Sequence, residues 1–185
     1  MPFPFEFRDL LNLTHLLLAA ALAGCAALDP WPLKGGGAPV ARREADDHRP
    51  PVLDPARVTE ELVVLHNRVR AGAKLHSLEP SKKLQAAAEE HVRDMAARHK
   101  MTHEGSDGTT PAARISNQGY RLRRCGENVA FGVKTCEAVM KGWMKSPPHK
   151  ANILGNFSQI GAAYAIAADG TPFWCVTFGL PARRK

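Results

Sequence analysis

The sequence predicts an α+β domain in which helices come first and a β-hairpin comes last, and three observations support this. Residues 55–71 and residues 81–99 each carry apolar side chains at helical spacing. Asp169-Gly170 is a hairpin turn signal, and it lies between two strand-like segments, residues 159–167 and 172–179. We therefore expect a small, mainly antiparallel sheet covered by helices.

The first two helices are predicted from their apolar stripes and their ends. Gly72 follows the first helix as a stop, and Ser81 is placed to serve as the N-cap of the second. Each stripe recurs at three and four residues: Val58, Leu62, Leu65 and Val69 in the first helix, and Leu84, Ala88, Val92 and Met95 in the second.

The middle of the domain is predicted as shorter elements. Residues 111–118 form a short helix that Gly119 ends. Residues 127–131 form a short apolar strand. Thr135 caps a further helix that runs to about Lys145, before Pro147-Pro148 stops it.

The N-terminal segment is predicted to be an export signal rather than part of the domain. Residues 16–23 read LLLAAALA, a run too short for a bilayer span of about 20 residues but long enough for a signal peptide. It ends in Leu22-Ala23-Gly24-Cys25, which resembles the lipobox of bacterial lipoproteins. That resemblance implies cleavage after residue 24 and lipidation of Cys25, which would anchor the chain to a membrane. The alternative is an uncleaved amphipathic segment, since Glu6 and Asp9 are unusual in a signal peptide.

Residues 25–53 are predicted to be the lipidated Cys25 followed by a flexible linker. Three consecutive glycines, five prolines and a charged run leave little that could be buried there. The domain is then residues 54–181, and residues 182–185 form a basic tail. Ala26 follows the cysteine where an aspartate usually means inner-membrane retention, so the predicted location is the cell envelope, at the outer membrane in a Gram-negative cell.

The charge balance limits the partners. The chain of 185 residues carries a formal net charge of +7, which favours contact with anionic surfaces such as phospholipid head groups or acidic wall polymers. Its lysines and arginines are scattered and no nucleic-acid motif accompanies them, so specific nucleic-acid binding is not expected. We expect a monomer.

Five motifs in order carry a resemblance to a known family. They are His66-Asn67-Arg68-Val69-Arg70, Met101-Thr102-His103, Cys125-Gly126-Glu127-Asn128-Val129-Ala130, residues 142–149 with Asn152-Ile153-Leu154, and residues 173–179. Together they resemble the CAP superfamily, also called SCP domains, which includes the cysteine-rich secretory, antigen 5 and pathogenesis-related proteins. The resemblance covers about residues 57–180 and is closest to the short bacterial branch.

The resemblance implies a three-layer α-β-α sandwich with a central cleft. Matched residue by residue, His103, Glu127 and His149 line that cleft. Ser146 is predicted to lie in the same cleft, where the family has a second glutamate, so the site is a triad rather than a tetrad. This loss places in doubt any activity that needs paired carboxylates.

Two arrangements of the predicted site remain open. His103 and His149 could bind a divalent cation such as zinc, with Glu127 as a third ligand or orienting a water. Alternatively, a hydrogen bond from Glu127 fixes the tautomer of one histidine. A third interpretation is structural, with both histidines satisfying buried backbone groups. No cofactor is certain on these grounds.

The function predicted from these residues is a binding or interaction module at the envelope, with a lipid, a peptide or a cell-wall glycan as ligand. The alternative is an envelope hydrolase that uses Glu127 with His103 or His149, with or without a metal. Ser146 is not in a Gly-x-Ser-x-Gly elbow, so a serine nucleophile is not expected and an enzyme is the weaker prediction. A structural protein with a vestigial site is the third possibility.

The remaining residues of note have structural predictions. An oxidising compartment would allow one disulfide, Cys125 with Cys136 or Cys125 with Cys175, although Cys175 could equally be a buried thiol. Other side chains divide into three groups: Asn67 and Arg70 as ties between helix and loop; Trp143, Trp174, Met95 and Met140 as core; His76, His91 and His99 as solvent-facing.

Overall fold

The computed structural model describes residues 54–183. The predicted signal segment, Cys25 and the linker lie outside these residues, as do the last two residues of the basic tail. The elements in chain order are α1 (Pro55–Gly72), β1 (Glu79–Pro80), α2 (Lys82–Arg98), α3 (Pro111–Asn117), β2 (Leu122–Phe131), α4 (Cys136–Lys145), α5 (Pro147–Ile153), β3 (Gln159–Ile166) and β4 (Pro172–Pro181). No helix among the described residues is long and apolar enough to cross a membrane.

The sheet has four strands in the order β1-β3-β4-β2 and is mainly antiparallel, as predicted. β3 and β4 form the predicted hairpin, and β4 pairs on its other side with β2. Only the two-residue β1 runs parallel to its neighbour, β3. β2 begins five residues earlier than predicted, because Leu122 and Arg124 already pair with the end of β4, although the sequence around Leu122 is rich in arginine.

Helices cover both faces of the sheet, which confirms the predicted three-layer architecture. On one face, the apolar stripe of α2 packs against β3 and β4, in a cluster that also includes Val129 of β2. On the other face, α1, α4 and α5 enclose the larger core. That core includes Val58, Leu62, Val139, Met140, Trp143, Ile153, Ile160, Trp174, Val176 and Phe178. The predicted core residues Met95, Met140, Trp143 and Trp174 are all buried.

Local capping explains where several helices begin. Asp54 accepts a hydrogen bond from the Ala56 amide at 3.0 Å, and Thr110 accepts one from the Ala113 amide at 3.2 Å. Thr135 caps α4 as predicted, because its hydroxyl accepts from the Ala138 amide at 3.2 Å. Ser81 occupies the N-cap position of α2 but makes no side-chain capping bond.

Asn67 and Arg70 tie α1 to neighbouring loops, as predicted. Asn67 pairs with both backbone groups of Leu78, donating to its carbonyl at 3.0 Å and accepting from its amide at 2.7 Å. The Arg70 guanidinium is buried and donates to four carbonyls, those of His76, Ile153, Gly155 and Phe157. These bonds satisfy the polar backbone of the segment that leads into β3.

The prediction for His91 is wrong, whereas His76 and His99 are exposed as predicted. His91 is completely buried, on α2. It stands three residues after Ala88 and four before Met95, so helical spacing puts it on the same buried stripe.

The two predicted disulfide pairings are absent, and Cys125, Cys136 and Cys175 are free thiols. Cys136 packs in the core beneath α1 and α4, whereas Cys175 faces α2. Cys175 pairs with Val129 across the strands, four residues along β2 from Cys125, which is about 13 Å at the rise of a strand. A disulfide requires Cα atoms within about 7 Å. Cys175 is thus the buried thiol of the alternative prediction.

A substitution at Gly161 tests the close contact between α2 and β3. A Cβ atom at this position would lie 2.2 Å from both the Gln85 amide nitrogen and the Leu84 carbonyl carbon. We expect Gly161→Ala to force backbone displacement and lower the free energy of unfolding by about 3 kcal/mol. The measurement is urea denaturation followed by circular dichroism.

Gly142→Ala in α4 is the matched control for Gly161→Ala. A Cβ atom there would meet nothing within 4 Å. This change should raise the free energy of unfolding by about 0.5–1 kcal/mol, because alanine favours a helix interior over glycine. Equal stability of the two variants would contradict the packing described for α2 and β3.

Candidate functional site

The candidate site is built around Glu127, which lies in the middle of β2. Glu127 pairs across the strands with Thr177 and is only 6% exposed. Its side chain is on the α2-facing side of the sheet, where Val129 is also buried. A carboxylate in this place needs compensation, because burial of an unpaired charge is strongly unfavourable.

Arg114 supplies the compensating charge. This guanidinium, contributed by α3, is 2% exposed, and its Nη2 donates to Glu127 Oε2 at 2.8 Å. Arg114 also donates to the carbonyls of His103, at 3.0 Å, and Thr109, at 2.8 Å. One side chain therefore joins α3, the loop before it and β2.

His103 is hydrogen-bonded to the other oxygen of the Glu127 carboxylate. Its Nδ1 lies 2.8 Å from Glu127 Oε1, which is a hydrogen bond with Nδ1 as the donor. The His103 side chain is 53% exposed, so the ring covers Glu127 on one side and meets solvent on the other. The hydrogen bond leaves Nε2 of His103 as the ring nitrogen available to a ligand. Of the two predicted arrangements, the described residues adopt the His–Glu hydrogen bond.

Two further side chains line the buried side of the carboxylate. His91 Nε2 is 3.7 Å from Glu127 Oε1 and donates to the Thr102 carbonyl at 2.7 Å. The Cys175 thiol lies 3.7 Å from Glu127 Oε2. Burial lowers the pKa of His91, so its ring is uncharged near neutral pH. Burial and the nearby Glu127 charge raise the pKa of Cys175 well above its usual value, so its sulfur stays a thiol.

These contacts keep Glu127 ionised. Burial alone would raise its pKa, but the hydrogen bond from His103 and the positive charge of Arg114 reverse that effect. The net result is a pKa below the ordinary carboxyl value. A carboxylate held in this way has both oxygens hydrogen-bonded and stays charged. A general acid, by contrast, needs a raised pKa so that it carries a proton at the working pH.

His149 is brought to the same region by two asparagines. Asn128 Nδ2 donates to the His149 carbonyl at 3.1 Å, and Asn152 Nδ2 donates to the Glu127 carbonyl at 3.1 Å. These bonds hold α5 against β2. The His149 ring is half-buried; burial lowers its pKa, and so does the nearby charge of His103.

Ser146 has a structural position between α4 and α5. It is the C-cap of α4, whose last residue is Lys145 as predicted, and its amide donates to the Trp143 carbonyl at 3.1 Å. Among the described residues, no hydrogen bond joins its side chain to Glu127 or to either cleft histidine. Its place in the cleft stays a prediction.

The described residues contain no group of three or more histidine, cysteine, aspartate or glutamate side chains arranged to hold a metal ion. His103 and His149 offer two imidazoles, while Glu127 is already bonded to Arg114. Zinc sites use three or four protein ligands, so this part of the chain does not form a complete zinc site by itself. Binding of a divalent cation by the two histidines stays a prediction.

Sequence reasoning missed Arg114 and misplaced His91. The helical spacing of His91 with Ala88 and Met95 was a usable signal. Arg114 had no such signal, because α3 is short and Arg114 contacts Glu127 on a different element, β2.

Comparison with known proteins gives consistent matches. The family model for the CAP group, described as the cysteine-rich secretory protein family, matches residues 63–178. The uncharacterized protein YkwD of Bacillus subtilis (strain 168) is 33% identical over 106 residues, which are 57% of this chain and 41% of YkwD. This chain therefore spans less than half the length of that curated relative.

Solved structures agree with the fold. An outer surface protein from Borrelia burgdorferi is 25% identical, with a TM-score of 0.61, over 66% of this chain and 94% of its own. An extracellular protein containing an SCP domain from Bacillus anthracis has the same TM-score of 0.61 at 22% identity, over 68% of this chain and 41% of its own. The family match, which covers more than half of the chain, shows that this protein belongs to the CAP family of cysteine-rich secretory proteins.

Proposed function

We propose that this protein is an exported CAP-domain lipoprotein of the cell envelope that binds a ligand at the cleft formed by His103, Glu127 and His149. The observation that carries the binding function is the pairing of Glu127 with Arg114 and His103, each at 2.8 Å. Both oxygens of the carboxylate are bonded, so the group orients its neighbours rather than moving protons. His103 and His149 then present imidazole nitrogens to a ligand.

The proposed ligand classes are a lipid, a peptide and a cell-wall glycan. A cleft with two imidazoles, a buried ion pair and several amides can donate and accept hydrogen bonds to sugar hydroxyls, peptide groups or head groups. The fixed negative charge of Glu127 is neutralised by Arg114, so the cleft does not repel anionic ligands.

Export and anchoring are supported by two separate features. The segment that ends in Leu22-Ala23-Gly24-Cys25 has the lipobox pattern. The 25% identical relative from Borrelia burgdorferi is an outer surface protein, and its location is the one we propose here. With lipidation at Cys25, residues 26–53 would hold the domain away from the bilayer.

The second candidate function is a hydrolase that uses Glu127 with His103 or His149. It is favoured by the exposed ring of His103, whose Nε2 is free to take a proton from a bound water. It is disfavoured by the bonded and ionised state of Glu127.

Replacement of Cys25 tests the anchor. Cys25→Ser should move the full chain from the membrane fraction to the soluble fraction of the producing cell, because serine cannot form the thioether. Cys125→Ser, which removes a thiol from β2, should leave the distribution unchanged. Immunoblots of the two fractions measure the effect, and an unchanged membrane fraction for Cys25→Ser would contradict lipidation.

Replacement of the cleft histidines tests ligand binding. The full chain would be exposed to three probes: phospholipid vesicles, a casein peptide mixture and purified peptidoglycan. His103→Ala and His149→Ala should each weaken retention of one probe at least about tenfold, equivalent to about 1.4 kcal/mol. Exposed His76→Ala is the matched control and should bind like the parent.

The same samples separate binding from hydrolysis. Mass spectrometry of the retained probe should find it intact. Turnover that Glu127→Gln abolishes while binding persists would establish the hydrolase instead. Equal retention of every probe by the parent and both cleft variants would contradict a ligand site at this cleft.

A further inference from the structure

A cluster of basic residues lies at the end of the sheet where β2 begins. It consists of Lys83, Arg121, Arg123, Arg124 and Arg183, which are all exposed, and we call it the basic edge. Two hydrogen bonds bring its parts together. Lys83 Nζ donates to the Gly119 carbonyl at 2.7 Å, and the Ala182 amide donates to the Arg121 carbonyl at 2.7 Å.

The strand geometry spreads these arginines across the edge. β2 is an outer strand of the sheet, and its register with β4 shifts between Leu122 and Arg124. Arg123 is therefore the additional residue of an irregularity, where side chains leave the regular alternation. Arg124 lies on the side of the strand opposite to Arg123, and its guanidinium is 5.9 Å from the centre of the Phe157 ring.

The five charged groups of the basic edge form no ion pair with the residues that the structure describes. Within residues 54–183, no carboxylate lies within 4.0 Å of any of the five; the arginine ion pairs there belong to Arg93, Arg98 and Arg114. The N-terminus of α2, which carries a partial positive charge, begins one residue before Lys83. Like charges on these adjacent segments repel one another, so an anionic partner would relieve an unfavourable arrangement.

The residue types and their surroundings indicate the partner. Guanidinium groups bind phosphate and carboxylate through paired hydrogen bonds. The exposed large hydrophobic residues of the described chain, Val64, Leu75, Met101, Phe131 and Ile166, are not members of the basic edge. Insertion into a bilayer uses such apolar side chains. Tyr120 beside the edge is 6% exposed, so it offers no platform for stacking nucleic-acid bases.

We propose that the basic edge is a second binding surface, which takes a linear non-lipid polyanion carrying phosphate or carboxylate groups along its chain. The partner contacts the ammonium of Lys83 and the guanidinium groups of the four arginines, Arg121, Arg123, Arg124 and Arg183. Binding is electrostatic, so it weakens as salt is added.

The test uses the full chain in detergent with two labelled probes, inorganic polyphosphate and poly-L-glutamate. Fluorescence anisotropy would give Kd at about 0.05 and about 0.15 M salt. The edge variant replaces Arg121, Arg123, Arg124 and Arg183 by glutamine. The matched control replaces four other exposed basic residues by glutamine, so both variants lose four positive charges. These residues are Arg57, Lys134, Lys141 and Lys145. Thermal melting would establish that both remain folded.

The edge variant should bind the preferred probe at least about tenfold more weakly than the parent and show a smaller salt dependence. The control should stay within about twofold of the parent, and the tighter probe identifies phosphate or carboxylate as the recognised group. Equal weakening of the two variants, or no binding of either probe by the parent, would overturn the proposal. A competition experiment could overturn it as well. If phosphatidylglycerol vesicles or single-stranded DNA displaced the probe as effectively as unlabelled polyphosphate at equal phosphate concentration, the proposed partner would be wrong.

Discussion

The buried carboxylate of Glu127 is the constraint on which the site depends. It lies in the centre of β2 between two layers of the sandwich, where an ionised group is stable only if its charge is matched. Arg114 matches that charge and His103 adds a hydrogen bond, and together they attach α3 and the loop before it to the sheet. Loss of Arg114 would leave the buried carboxylate of Glu127 without a counter-charge, and loss of Glu127 would leave the buried guanidinium of Arg114 without one.

The same constraint explains what the proposed cleft would offer to a ligand. Glu127 is held by its neighbours and contributes orientation, which fixes the tautomer of His103 and the direction of its exposed nitrogen. Asn128 and Asn152 fasten α5, the helix that carries His149, to the same strand. The short glutamate-asparagine sequence in β2 thus organises both histidines. A binding cleft follows more directly from this arrangement than a proton-transfer site does.

Much of the fold could be predicted because its signals are local. The apolar stripes of α1 and α2, the cap at Thr135 and the hairpin turn at Asp169-Gly170 depend on spacing within one segment. His103, Glu127 and His149 could be named only through the ordered family motifs, since the two histidines are 46 residues apart. The contact of Arg114 with Glu127 had no local signal, because it depends on how α3 and β2 meet in three dimensions.

The most direct measurement compares the pH dependence of stability of the parent with that of Glu127→Gln, with exposed Glu104→Gln as the control. The pKa of Glu127 lies below its ordinary value of 4.5 in the folded protein, so its charge stabilises the fold above that pH. At pH 7, Glu127→Gln should lower the free energy of unfolding by about 3 kcal/mol or more, because Arg114 loses its partner. Below about pH 4.5 the difference should shrink as protonation removes the charge from the parent as well. A difference that is absent at pH 7, or that stays constant down to acidic pH, would contradict an ionised Glu127 as the centre of the site.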